Sequence, residues 1–113
     1  MQDMLMLMYV LHRYEMLDKL IRELNKAGIK GATVLHSNGM AQILSKEDDV
    51  LFGILRSHLN SGLEDNRTLF MVLSREQVQI VRETIGRVIG PIDQPGNGVM
   101  FVLPVLSVEG ITP

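Results

Sequence analysis

The sequence predicts an α+β fold, an antiparallel four-stranded sheet with two helices on one face, built as strand, helix, strand, twice over. Three observations predict it. Short apolar runs bounded by polar residues recur along the chain, two amphipathic stretches of helical period separate them, and the order of the first half repeats in the second.

Met4 to Leu11 is an unbroken apolar octet ending at His12-Arg13, too short for an ordinary helix, and reads as a buried strand. From Tyr14 the period changes. Met16, Leu17, Leu20, Ile21 and Leu24 share one helical face while Asp18, Lys19, Arg22, Glu23 and Lys26 take the other, until Gly28 ends the helix. Ala32 to His36 is a β-branched stretch closed by the turn-prone Asn38-Gly39, the second strand. Arg67 to Leu73 is the third. Ser74 to Gln77 has the form of a capping box and opens a helix with the stripe Val78, Val81, Ile85, Val88 and Ile89, which Gly90-Pro91 stops. A turn-rich stretch, Asp93 to Gly98, leads to a last strand, Val99 to Leu106, in which Pro104 marks an edge or a strand end.

Two such halves make a split βαβ, ferredoxin-like sandwich. A sheet with one wet face alternates apolar and polar residues, yet Leu69-Phe70-Met71-Val72-Leu73 is apolar throughout. The second face therefore needs a cover, and closed symmetric self-association is the commonest one. The connection from Asn38 to Asn66 exceeds the roughly 15 residues beyond which connections are usually functional or structured. Ser45 can cap an extra helix there, with Glu47, Asp48 and Asp49 beside its positive end and a stripe of Val50, Leu51, Ile54, Leu55 and Leu59, before Ser61-Gly62 ends it. That stripe packs on its own assembly or docks a partner.

The chain has 113 residues, 46% of them hydrophobic, which is the size and apolar content of one domain, 1–113. Eleven basic against 13 acidic residues, a formal charge of -2, with no basic cluster, argue against nucleic acid as a partner. The absence of Cys removes disulfide and thiolate chemistry. No apolar run approaches the ~20 residues of a membrane span, and the first strand has no basic leader, so the expectation is a cytoplasmic protein without membrane insertion. Walker, G-x-S-x-G and H-E-x-x-H motifs are missing, no catalytic set converges, and the expected class is not an enzyme. His12, His36 and His58 fall in three elements, and the ends of the first two strands are expected at opposite edges of the sheet, so no metal site is expected within one subunit. The eight Met residues read as core filling.

Gly28-Ile29-Lys30-Gly31-Ala32-Thr33-Val34, with Asn38-Gly39-Met40 after it, resembles the second-strand segment of the PII signal-transduction family. Pro95-Gly96-Asn97-Gly98-Val99-Met100-Phe101-Val102-Leu103-Pro104-Val105 resembles that family's C-terminal signature, a glycine-acid-glycine turn followed by a basic residue and an apolar strand ending in proline. The resemblance covers most of the chain outside about 42 to 66. It implies a homotrimer with its sheets around a central core and clefts between subunits that bind adenine nucleotides, often with 2-oxoglutarate. It also implies that the loop after the second strand contacts targets such as ammonium transporters or nitrogen-metabolism enzymes. On this resemblance the ligand-binding residues are Thr33, at the adenine, Gly39 and Met40, at the start of the long loop, and Gly96, Asn97 and Gly98, at the phosphates. The partner-contact segment is Val50, Leu51, Ile54, Leu55, Arg56 and Leu59.

Glycines let backbone N–H groups approach an anion that side chains would keep away, although Gly96-Asn97-Gly98 read alone is also an ordinary chain reversal. The departures from the family pattern are physical ones. Val99 replaces the basic residue after the second glycine, and Gly110 and Thr112 fall where arginines usually follow the last strand, so an adenine nucleotide loses cations that would offset its phosphates. Ala41 replaces a loop glycine, and the tyrosine uridylylated in some relatives has no counterpart, since Tyr9 and Tyr14 both lie near the start. The reading is thus a small-molecule sensor that regulates a partner protein. A divalent-cation tolerance protein shares the trimeric plan, but the glycine turn and the Phe101-x-x-Pro104 match count against it; a small ferredoxin-like enzyme is the third reading.

Overall fold

The computed structural model describes residues 3–40 and 66–111. In chain order these form β1 (Leu5–Leu11), a 3-10 turn (Tyr14–Met16), α1 (Leu17–Lys26), β2 (Thr33–Ser37), β3 (Asn66–Leu73), α2 (Arg75–Val88) and β4 (Val99–Pro104). The extra helix expected over Ser45 to Leu59 lies outside the described residues. Strand order is β2-β3-β1-β4 with every pairing antiparallel, the expected ferredoxin-like arrangement.

Each boundary has a local cause. Met16 N–H closes the 3-10 turn on the Arg13 carbonyl at 2.9 Å, so regular α-helix begins three residues later than the apolar pattern from Tyr14 suggests. At the other end of α1, Gly28 takes φ +93°, its N–H bonds the Asn25 carbonyl at 3.1 Å, and Ile29 N–H reaches back to Leu24 at 2.9 Å. Both Leu24 and Ile29 are buried, so a hydrophobic contact seals this Schellman cap. β2 runs one residue later than expected, to Ser37, whose hydroxyl pairs with that of Thr68 at 2.7 Å. β4 stops at Pro104, two residues short of Leu106, and the Val105 N–H turns to the Met4 carbonyl at 3.1 Å. α2 opens on the expected capping box: Ser74 Oγ accepts from Gln77 N–H at 3.3 Å while Gln77 Oε1 accepts from Ser74 N–H at 2.9 Å.

Alternation along β1 and β3 divides the apolar residues between two faces. Leu7, Tyr9, Leu11, Leu69, Met71 and Leu73 turn to the helices and are buried with Leu20 and Leu24 of α1 and Val78, Val81, Ile85 and Val88 of α2. Glu23 of α1 joins Lys26 at 3.1 Å and reaches Arg87 of α2 at 3.5 Å, surface pairs that orient the helices more than they stabilise them. The opposite face is also apolar. Met6, Met8, Val10, Phe70 and Val72 are half-buried there, and Val99, Phe101 and Leu103 of the edge strand β4 are 44%, 50% and 43% exposed. Among the described residues nothing in the chain covers this face as the helices cover the first.

Ser74→Ala removes one of the two reciprocal capping bonds. It is expected to lower stability by about 1 kcal/mol, a drop of roughly 4 °C in Tm for a domain of this size, measurable by calorimetry.

Candidate functional site

The residues expected to hold a ligand occupy two separate places. Thr33, Gly39 and Met40 belong to the β2 side: Thr33 opens the edge strand opposite Phe70, and Gly39 and Met40 follow the strand's far end, with Met40 80% exposed. Gly96, Asn97 and Gly98 precede β4, which is the other edge. β3 and β1 stand between them, so a single chain does not bring Thr33 and the glycine turn together. Val50, Leu51, Ile54, Leu55, Arg56 and Leu59 lie outside the described residues, as does Thr112.

On the β2 side a shallow groove of about 630 Å³ is lined by Met6, Gly31, Thr33, Phe70, Val72 and Ile111. Its side chains carry no charge, and its polar groups are the Thr33 hydroxyl and backbone at the start of an edge strand. Lys30, the nearest cation in sequence, folds back on α1, with Nζ 3.0 Å from Asn25 Oδ1 and 3.4 Å from the Asn25 carbonyl.

The turn before β4 is held from three sides. Tyr9, fully buried in the middle of β1, donates its hydroxyl to the Asn97 carbonyl. Asn97 Nδ2 donates to the Pro91 carbonyl at 2.7 Å, and Asn97 N–H bonds the Gln94 carbonyl at 3.3 Å. Gly98, at φ +103°, lies directly on the Tyr9 ring: a Cβ there would stand 2.5 Å from the Val10 carbonyl and 2.6 Å from the ring edge. Glycine is thus required at 98 by both conformation and space. Gly90, at φ +123°, leaves room for the Asn97 amide in the same way, and the neighbouring Ile89 carbonyl at the end of α2 accepts from Arg13 Nη1 at 3.2 Å. Burial pushes the Tyr9 phenol up to about 12, with Arg13 pulling the other way. Val99 is paired with Val10 and turns to the uncovered face, and Gly110 is exposed at φ +87°; neither supplies a charge to the turn.

One expectation is corrected. β1 and β2 both run antiparallel to β3, so they point the same way, and His12 and His36 lie at the same end of the sheet rather than at opposite edges. His12 Nδ1 is 3.1 Å from Asn66 Oδ1, and His36 stands in register with Arg67, whose guanidinium lies 5.6 Å from the centre of the Tyr14 ring. Among the described residues no three His, Cys, Asp or Glu side chains gather as a metal site.

The family model described as Nitrogen regulatory protein P-II matches residues 5–113. The chain belongs to that family. Its place is therefore among regulatory signalling proteins, the class expected from the PII resemblance. A comparison with curated proteins gives no match. Among solved structures, the Bacillus subtilis GlnK-ATP complex is 25% identical, with a TM-score of 0.58 over 91% of this chain and 82% of that one. Arabidopsis thaliana PII bound to citrate is 22% identical, with a TM-score of 0.62 over 93% of this chain and 77% of that one. B. subtilis GlnK is 24% identical, with a TM-score of 0.58 over 92% and 86%. The last two show the fold alone, the ferredoxin-like sandwich of PII proteins. Among the described residues no helix of this P-II chain is long and apolar enough to cross a membrane.

Tyr9 is the site residue that sequence reasoning missed. The available signal was a single hydroxyl within an otherwise apolar strand, which has to find a partner once buried.

Because the folded-state value of Tyr9 is raised to about 12 from 10.0, its contribution to stability is complete below pH 10 and is lost as pH rises through 12. Chemical denaturation across pH 9 to about 12 should show wild type losing on the order of 2 kcal/mol that Tyr9→Phe does not lose, Tyr14 being common to both.

Proposed function

We propose that this chain is a cytoplasmic PII-type regulator that works as a homotrimer, holds a small ligand in clefts between subunits, and reports occupancy to a partner protein such as a nitrogen transporter or metabolic enzyme. One observation carries the reading: Thr33 and the glycine turn stand on opposite edges of one sheet, so a ligand that touches both must bridge two chains. The uncovered apolar face supports it, since burying side chains such as Phe101 and Leu103 between copies recovers about 1.5–3 kcal/mol for each that becomes fully buried. Two solved relatives are described with small molecules, ATP in one and citrate in the other. The residues 38–66 of the long connection, with the apolar stripe Val50 to Leu59, are the proposed signalling element, because they join the two halves without completing either.

The ligand chemistry follows the charge. Val99 and Gly110 bring no cation to the turn, Lys30 is turned to Asn25, and the β2 groove is uncharged, which favours a ligand of lower charge than a nucleoside triphosphate. Affinity for ATP is expected to be weaker than in relatives that keep those cations.

Light scattering in dilute buffer should give a trimer at micromolar concentration, and Phe101→Glu, which places a charge on the apolar face, should give monomers. A stable wild-type monomer would remove the inter-subunit site. Thermal shifts with ATP, 2-oxoglutarate, bicarbonate and divalent metals locate the ligand, since a compound at 100 times its Kd raises stability by about 2.7 kcal/mol. No shift with any small molecule or metal would sink the sensing role.

A further inference from the structure

We propose that Tyr9 is a positioning residue of the ligand site, which aims the Gly98 backbone N–H at an anionic oxygen, phosphate or carboxylate, by gripping the other side of the same peptide unit. The inference rests on the inter-subunit site proposed above and adds a residue to it. Tyr9 lies in the core, under the turn, and its hydroxyl donates to the Asn97 carbonyl. The chain has no cis peptide bond among the described residues, and in a planar trans peptide the C=O and N–H point in opposite directions. Holding the Asn97 carbonyl toward the buried hydroxyl therefore turns the Gly98 N–H away from the core, to the side from which a ligand comes.

The alternative is that Tyr9 only fills the core and its hydroxyl takes whichever acceptor is near. Three features of the site go beyond that. The bond is made to the turn and not to a strand carbonyl of the ladder. The ring on which Gly98 lies leaves no space for a Cβ, so the backbone of the turn rests directly on Tyr9. Asn97, whose carbonyl is gripped, has its side chain tied to Pro91 at 2.7 Å, so the residue that carries the carbonyl is itself held in place. Donors fixed in advance bind an anion without the ordering cost that a loose glycine loop has. With Val99 in place of a cation, the turn has only backbone N–H groups such as this one to direct at an anion.

The test compares wild type and Tyr9→Phe by calorimetric titration with ATP, citrate and adenosine, the last as a neutral control. Phe keeps the ring and removes only the hydroxyl, and amide exchange across α2 reports whether the fold is kept. The expected result is that Tyr9→Phe binds the anion preferred by wild type at least tenfold more weakly, with adenosine affinity unchanged and α2 still protected. Equal anion affinity in Tyr9→Phe overturns the proposal and leaves the ligand site standing. Loss of all ligands together with faster exchange in α2 also overturns it, because that is what a packing role produces. Wild type binding adenosine alone refutes this inference only, whereas wild type binding none of the three, and none of the panel above, refutes the site as well.

Discussion

The antiparallel pairing of β1 with β3 is the constraint on which everything else in the structure rests. These two central strands bear nearly all the fully buried apolar side chains of the sheet, and their register decides which residues face the helices. A slip of one residue would send Leu7, Tyr9 and Leu11 to the uncovered face and bring Met6, Met8 and Val10 inward. Both sets are apolar, so hydrophobicity alone does not choose between them. Shape and hydrogen bonding do. Tyr9 facing inward meets Gly98 and the Asn97 carbonyl, whereas facing outward its hydroxyl would lose that partner and Gly98 would face an empty space. The one polar side chain of β1 thus helps to specify the register of a strand whose apolar residues leave it open.

The same ambiguity explains which parts of the fold are legible in the sequence. α2 can be read almost residue by residue, because Ser74, Gln77 and the stripe from Val78 to Ile89 each carry a local signal that the packing agrees with. The strands can be located for the same reason, to within one or two residues. The 3-10 turn at Tyr14 cannot, since Met16 continues the helical apolar pattern while its N–H bonds three residues back. The wrong placement of His12 and His36 arose from treating two strands as opposed when both answer to a third, β3, that comes later in the chain.

The candidate site is legible in kind but not in arrangement. Gly96-Asn97-Gly98 announces a turn through its composition, and the β-branched segment holding Thr33 announces a strand. Their separation to opposite edges is a property of the strand order, which no local pattern encodes. The demand for glycine at 98 is equally non-local: it comes from a ring 89 positions earlier in the chain, Tyr9, and would be invisible in any reading of the turn by itself.

The edge strand β2 has a further consequence. It is five residues long, has one neighbour, β3, and exposes Thr33, Val34, Leu35 and His36. Segments with so few buried contacts open at free energies far below that of global unfolding, so β2 belongs to the least cooperative part of the sheet. A ligand seated at Thr33, where the site is proposed, would draw part of its binding free energy into quieting this strand. Signalling by such a strand needs no displacement of the core. In the proposed regulator the information would then lie in the amplitude of a fluctuation.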